Sequence, residues 1–428
     1  MKSFFNDKFL LLFLLFLPFQ FALNISETFD VGITRLIIFL AFFFWIHTVL
    51  ISGKLELPKS KAFWLGISFL FFAALSFLWA QNQEWALRKV FFLINFFLLF
   101  FMASWMFFQK KWTPEALSKA LAFSGCLSSL VAIFQFTLPF FFGIEKTLLW
   151  WRTLVAPLFL GESFSESVIE YSSWLVNVGG ETVFRAIGFF PDPHIAAFYW
   201  EFCLVWTLIY AYSKKSWGYA MIASIILLAL LLTFSRGAYI ALFFFAFLGI
   251  SFFLVQMRKF RLIVGLFISL FLCFSFIFYE NPFFERALSS FSTLDNSNAG
   301  RLDMWKQSWY IIMEKPWGVG MGGYALEILP SAEYRDPIYA HNIYLDIAVE
   351  MGLFSLFLWV MWIGASFLIG LQQRKKNLYA LSMMFSLGVF SLHTFFDTPL
   401  FSIHIISVLF LVLSSVFWFE KEQKEEIL

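Results

Sequence analysis

Residues 90–108 read VFFLINFFLLFFMASWMFF, an apolar run with no charged side chain in it. At about 1.5 Å of rise per residue such a helix is about 28 Å long, close to the hydrocarbon thickness of a bilayer, so the segment reads as a transmembrane helix. Working outward from it, further apolar runs fall at 9–23, 31–52, 62–80, 116–142, 195–212, 218–234, 238–257, 262–279, 343–370, 378–396 and 401–419. The spacing predicts an all-α polytopic membrane bundle of about twelve helices forming one integral membrane domain over 1–428. Composition points the same way. With 61% hydrophobic residues, 14% charged residues and 65 phenylalanines, the chain is excluded from the soluble globular class.

Lys2 and Lys8 ahead of the first run resemble the start of a signal peptide, but no small-x-small cleavage site follows Phe21-Ala22-Leu23-Asn24. A retained first helix is expected. Short cytoplasmic loops carry the excess of Lys and Arg. With the N-terminus inside, the inner segments hold Lys54, Lys59 and Lys61; Lys110, Lys111 and Lys119; Lys214 and Lys215; Arg258, Lys259 and Arg261; Arg374, Lys375 and Lys376; and Lys421 and Lys424. The short outer loops hold only Arg88, Lys89 and Arg236. Both termini are therefore expected in the cytoplasm, and the long loops 143–194 and 280–341 outside. Cys126, Cys203 and Cys273 all fall in apolar runs, so no disulfide framework is indicated. A net charge of +2 carries no signal for nucleic acid.

Long connections inside a compact protein are usually functional. In the second loop, Asn298 is placed to cap a helix with Leu302, Trp305, Trp309 and Ile312 on one stripe, stopped by Pro316. Such a helix is expected to lie on the membrane surface. The first loop scatters Trp150, Trp151, Tyr171 and Trp174, with a weaker helix signal around 163–175. Between Pro316 and His341 comes Trp317-Gly318-Val319-Gly320-Met321-Gly322-Gly323. Glycines this dense permit close backbone approach, and Gly318 and Gly320 are candidates for substrate contact. No Gly-Lys-Ser/Thr follows, so a nucleotide loop is not indicated, and the plain alternative is a turn returning the chain to the membrane.

The polar groups at the outer edge are where chemistry is expected. Arg236 sits in a loop of only two or three residues, so its guanidinium belongs at the helix ends, and Arg185 and Arg301 flank the same membrane face. An arginine there is costly unless paired, although snorkelling to headgroups would also account for it. A planar guanidinium suits the two oxygens of a diphosphate. His341, where the second loop meets a helix, is the candidate general base, since an imidazole exchanges a proton near neutral pH. A structural histidine is the alternative. His194, in Pro191-Asp192-Pro193-His194, and Asn342 are further candidates for substrate binding, whereas Asp397 reads as the end of its apolar run. No metal is expected: there is no His-Glu-x-x-His, the histidines are scattered, and Asp192, Asp303, Asp336, Asp346 and Glu350 show no ligand spacing. No cofactor is indicated.

Together Arg185-x-x-Gly188, Pro191-x-Pro193-His194, Thr233-x-Ser235-Arg236-Gly237, Gly300-Arg301 with Trp305, Pro316-x-Gly318-x-Gly320, His341-Asn342 and Glu350-x-Gly352 resemble the O-antigen ligase and O-antigen polymerase superfamily of bacterial cell envelopes, over about 185–365. The resemblance implies a metal-independent, inverting membrane glycosyltransferase on the outer face of the cytoplasmic membrane, with a glycan on undecaprenyl diphosphate as donor. It further implies that Arg185 and Arg236 engage the donor diphosphate, with Arg301 beside them, and that His341 activates the acceptor hydroxyl. Ligase, with lipid A core as acceptor in lipopolysaccharide biosynthesis, is the favoured member. A polymerase, whose acceptor is a lipid-linked repeat, stays open, as does transfer to protein or a secondary wall polymer. A polysaccharide flippase is the alternative of another class. Transporters hold their charges near the midplane, where this chain offers only Arg35, His47, Glu201 and His404.

Overall fold

The computed structural model describes residues 6–256 and 296–427, apart from 27, 28, 54, 171, 172, 179, 335 and 337. Several helix starts carry a capping side chain. Ser60, Asn82, Thr113, Asp192 and Asn377 each accept a hydrogen bond from a backbone N–H in the first turn that follows. Such caps satisfy donors that have no partner inside the helix. Pro114 and Pro193 stand at first helical positions, where a missing N–H costs nothing.

The helices in chain order are α1 (Asp7–Phe16), α2 (Ile33–Ser52), α3 (Lys61–Leu75), α4 (Gln83–Phe108), α5 (Pro114–Phe142), α6 (Ile144–Trp150), α7 (Ala156–Leu160), α8 (Glu162–Glu170), α9 (Pro193–Lys214), α10 (Trp217–Leu231) and α11 (Arg236–Gln256). They continue with α12 (Asn296–Glu314), α13 (Tyr324–Ile328), α14 (Ile343–Met351), α15 (Leu353–Gln373), α16 (Leu378–His393) and α17 (Ile403–Ile427). Two antiparallel hairpins interrupt them, β1 (Ala22–Ser26) with β2 (Phe29–Gly32) and β3 (Leu175–Val178) with β4 (Glu181–Phe184).

Among the described residues, seven helices are long and apolar enough to cross a membrane, and the apolar helices at 217–231, 236–249 and 378–393 are shorter. This is an all-α membrane architecture, and it differs from the expected twelve spans at definite places. The first run, 9–23, is helical only to Phe16, then turns through Pro18 into β1, because the proline ring cannot continue the ladder. The run 343–370 is two helices, α14 and α15, broken at Gly352. The run 262–279, with Cys273, lies outside the described residues. Asn298, expected before the helix, falls inside α12. The expected stripe also splits: Ile312 is buried and Trp305 partly so, while Leu302 and Trp309 are exposed, so the buried face runs through Ser308, Ile311 and Ile312.

In lipid, helices associate through packing and polar contacts, since lipid tails are as apolar as leucine. Helix α17 is enclosed by protein from Ile405 to Phe417 and runs along α4. Phe97, Phe100, Trp362 and Phe410 interlock there, with ring centroids 4.8–5.7 Å apart and mostly tilted or edge-on geometry, worth ~0.5–1.5 kcal/mol per pair beyond burial. Helix α9 is equally central, packed by α5, α10 and α16.

The break at Gly352 is set by main-chain contact. Gly352 has φ 87°, and a Cβ there would meet the Trp317 carbonyl oxygen at 2.6 Å. Val319 N donates to Val349 O (2.8 Å) and Leu353 N to Pro316 O (2.9 Å), so the glycine-rich loop is laced onto the interruption. A side chain at Gly318 would likewise strike Glu350 O at 2.7 Å.

Candidate functional site

A cavity of about 950 Å³ opens among the starts of α2, α4, α9 and α11, the described part of the second long loop, and the turn after α16. Arg185, Arg236, Arg301, His194 and His341 all line it, although the sequence spreads them over four stretches of chain. Helix α8 and the first hairpin form another part of its wall. Asp30 Oδ2 accepts from Phe164 N (2.7 Å), and Asn24 Nδ2 donates to Glu162 Oε2 (2.6 Å).

The centre of the site is a carboxylate between two imidazoles. Asp397 Oδ1 lies 3.6 Å from His341 Nδ1, and its Oδ2 lies 3.5 Å from His194 Nδ1. These contacts are long for hydrogen bonds, and catalytic contacts commonly tighten around bound substrate. Burial pushes the Asp397 carboxyl up, but His194, His341 and Arg301 outweigh it and hold the group well below the usual carboxylate range. An ionised carboxylate at Nδ1 favours the tautomer whose Nε2 lone pair is available.

His341 is fixed by its neighbours along the chain. Its φ is 52°, a left-handed conformation that costs a non-glycine residue ~1–3 kcal/mol and persists only where the surroundings impose it. On one side Ala340 N donates to Asp346 Oδ1 (2.8 Å) and Ala340 O accepts from Trp305 Nε1 (2.8 Å), tying the turn to α12 and α14. On the other side Asn342 caps α14, its Oδ1 accepting from Tyr344 N (3.0 Å) and Leu345 N (3.3 Å). The Tyr339 ring rests 4.2 Å from the imidazole, centroid to centroid. Thr398 Oγ1 also donates to Asp346, joining the His341 turn to the turn that bears Asp397.

Two more carboxyls are held high. Burial, with Asp397 acting in the same sense, pushes Asp192 up to about 6 against its bonds from His194 N and Ile195 N. Burial likewise pushes Asp346 up to about 6, against its bonds from Thr398 and Ala340 N.

The Thr233-x-Ser235-Arg236-Gly237 stretch is a tight turn whose polar groups all have work nearby. Thr233 Oγ1 donates to Leu230 O (2.6 Å) and accepts from Ser235 N (3.2 Å), with Phe234 at φ 52° between them. Thr233 O accepts from Arg185 Nε (2.6 Å), and Ser235 Oγ sits 3.2 Å from His194 Nδ1. Arg185 also donates from Nη1 to Ser173 O (3.0 Å), and Gln135 receives the N–H of Ile187 (2.9 Å) while donating to Arg185 O (3.1 Å). The buried guanidinium therefore joins the first long loop to the α10–α11 turn. Arg236 opens α11 from that turn, and Gly237 packs under His393.

Asn342, Gly318 and Gly320, expected as possible substrate contacts, are not among the residues that line the cavity. The Asn342 amide is engaged as a cap, Gly318 meets Glu350 and Gly352, and Gly320 meets Ala80. Gly322 is the member of that loop that reaches the wall. Conversely, sequence reading took Asp397 for a helix end. Its signal was local: an acid in the unpaired turn Asp397-Thr398-Pro399, four residues after His393. Below it, Glu201 Oε2 and His393 Nδ1 lie 3.0 Å apart, both fully enclosed.

Residues 219–360 match the family model for O-antigen ligase. No curated protein matches the chain.

Proposed function

We propose that this membrane protein, whose residues 219–360 match the O-antigen ligase model, is an inverting glycosyltransferase that moves a glycan from undecaprenyl diphosphate to an acceptor hydroxyl, most simply the ligase that uses lipid A core. The observation that carries the reading is a histidine backed by a buried carboxylate, sharing one cavity with three arginines. Transfer of this kind needs one base at the acceptor and concentrated positive charge at the leaving group.

The acceptor oxygen attacks the anomeric carbon as its proton passes to His341 Nε2. The bond from that carbon to the diphosphate oxygen breaks, and the electron pair leaves with the diphosphate. Arg185, Arg236 and Arg301 stabilise the charge that develops there, supplying what a metal would otherwise supply. Asp397 stabilises the imidazolium until it returns its proton to solvent. The glycan–phosphate bond already holds the free energy, so no nucleotide is required. The distribution of Lys and Arg supports a cavity on the outer side of the bacterial cytoplasmic membrane, with both termini inside.

The test is a proteoliposome assay with a lipid-linked oligosaccharide, lipid A core, and either the wild-type chain or His341→Ala. Glycan on the core, lost in the variant, supports the ligase. Lengthened lipid-linked chains would make the protein a polymerase. Absence of covalent product alongside translocation of the lipid-linked glycan would make it a transporter.

A further inference from the structure

The cavity has a second cationic wall, built from other helices. Arg35 of α2 and Arg88 and Lys89 of α4 line it, with Trp85, Phe92 and Tyr334 among them. Arg35 lies over the Phe92 ring at 5.6 Å and Arg88 over Tyr334 at 5.0 Å, while Trp85 packs on Tyr334 at 5.6 Å. Lys89 donates to the buried Glu350 (2.7 Å) and Arg88 to Glu84 (2.6 Å). Among the described residues no carboxylate pairs with Arg35. A guanidinium at the start of a membrane helix without a counter-charge is costly, and such groups mark binding sites.

Helix α14 connects this wall to the base. Asp346, bonded to the His341 turn, and Glu350, bonded to Lys89, are four residues apart and so share one helix face. His341 therefore shares one cavity with two cation sets: Arg185, Arg236 and Arg301, read as the diphosphate site, and Arg35, Arg88 and Lys89 on α2 and α4. Inverting displacement puts the incoming oxygen opposite the leaving diphosphate, with the base beside the incoming oxygen. The α2/α4 wall is then where the acceptor approaches.

We propose that this wall is the acceptor subsite and that it binds an acceptor sugar bearing a phosphate or carboxylate, with Arg35 as the cation that recognises it. The proposal rests on the transferase reading above. The guanidinium fork takes the anion, and Trp85, Tyr334 and Phe92 offer apolar faces to the sugar ring.

The test uses the full chain in detergent, as wild type, Arg35→Gln and Arg236→Gln. Affinity is measured for lipid A core glycolipid in native, phosphatase-treated and carboxyl-reduced forms, and separately for undecaprenyl diphosphate. Arg35→Gln is expected to weaken the native glycolipid by about tenfold to a hundredfold, the scale of a charged hydrogen bond, and to leave undecaprenyl diphosphate unchanged. Arg236→Gln is expected to do the reverse. The treatment that erases the difference between wild type and Arg35→Gln identifies the anion. The proposal is overturned if Arg35→Gln weakens undecaprenyl diphosphate as Arg236→Gln does, or if its effect on the glycolipid is absent or survives both treatments. Failure of the transferase reading has a separate signature: undecaprenyl diphosphate binding that neither Arg236→Gln nor Arg185→Gln alters.

Discussion

Asp397→Asn tests the centre of the mechanism with almost no change of shape. The carboxylate stands 3.6 Å from His341 Nδ1. Two unit charges at that separation attract by about 1 kcal/mol at the dielectric of water and about 5 kcal/mol at an effective value of 20. His341 is 30% exposed and Asp397 12% at the side chain, so a middle figure of about 3 kcal/mol is appropriate. The attraction acts on the imidazolium, which exists only once the acceptor proton has moved, so its loss raises the barrier more than it weakens binding. Turnover is expected to fall about a hundredfold with little change in KM. Initial rates of glycan transfer in proteoliposomes measure this, with thermal unfolding of the purified variant as the control for folding. Because Asp397 acts through the histidine, adding Asp397→Asn to His341→Ala should cost nothing further. A single variant within threefold of wild type, or a double variant slower than His341→Ala by another hundredfold, would refute the reasoning.

Arg185→Lys removes a fork that donates to Ser173 O and Thr233 O at 3.0 and 2.6 Å, charged hydrogen bonds worth ~1.5–3 kcal/mol each. Lower thermal stability together with at least tenfold slower transfer is expected, and an unchanged melting temperature would contradict the bridging role. Glu201→Leu strands His393 in the bundle and is expected to cost ~3–5 kcal/mol, whereas Glu201→Leu with His393→Phe should regain most of that loss. Equal melting temperatures of the single and double variants would show the pair to be uncoupled. The pH dependence of stability follows from Asp346, raised to about 6 by burial. A carboxyl raised on folding stabilises the protein fully below pH 4, and this contribution is lost as pH rises through 6, a difference of ~3 kcal/mol. Asp346→Asn should therefore gain stability relative to wild type between pH 4.5 and 7.5, and a gap that stays constant across that window would rule this out.

Much of the bundle is legible in apolar run lengths, because a bilayer imposes one length on every helix that crosses it. Failures of that reading cluster where another constraint takes over. Pro18 ends α1 early, and Gly352 divides what looks like a single 28-residue run, since an apolar window does not register a backbone contact made from a distant loop. The hairpins at 22–32 and 175–184 are not legible because strands of four or five residues carry no length signal. Within the site, Arg236 and His341 stand out at the ends of apolar runs, and Arg185 and Arg301 in the long loops between them. Their meeting in one cavity is a property of the tertiary fold. Asp397 reads as the end of an apolar run because the two histidines it meets are 56 residues or more away along the chain.

The seam joining Trp317–Gly320 to Glu350–Gly352 and Ala80 has a consequence for how variants of this protein are interpreted. The contact is main chain on main chain, so it has no rotamers through which to yield. A methyl group introduced there moves whole segments, and those segments carry Glu350 and, at the other end of α14, Asn342 and His341. A scan of side-chain replacements would thus score these glycines beside the histidine and arginines, as if they touched substrate. Separating the two kinds of position requires reading folding and turnover together: the glycines should lose both in step, and the cavity residues should part them.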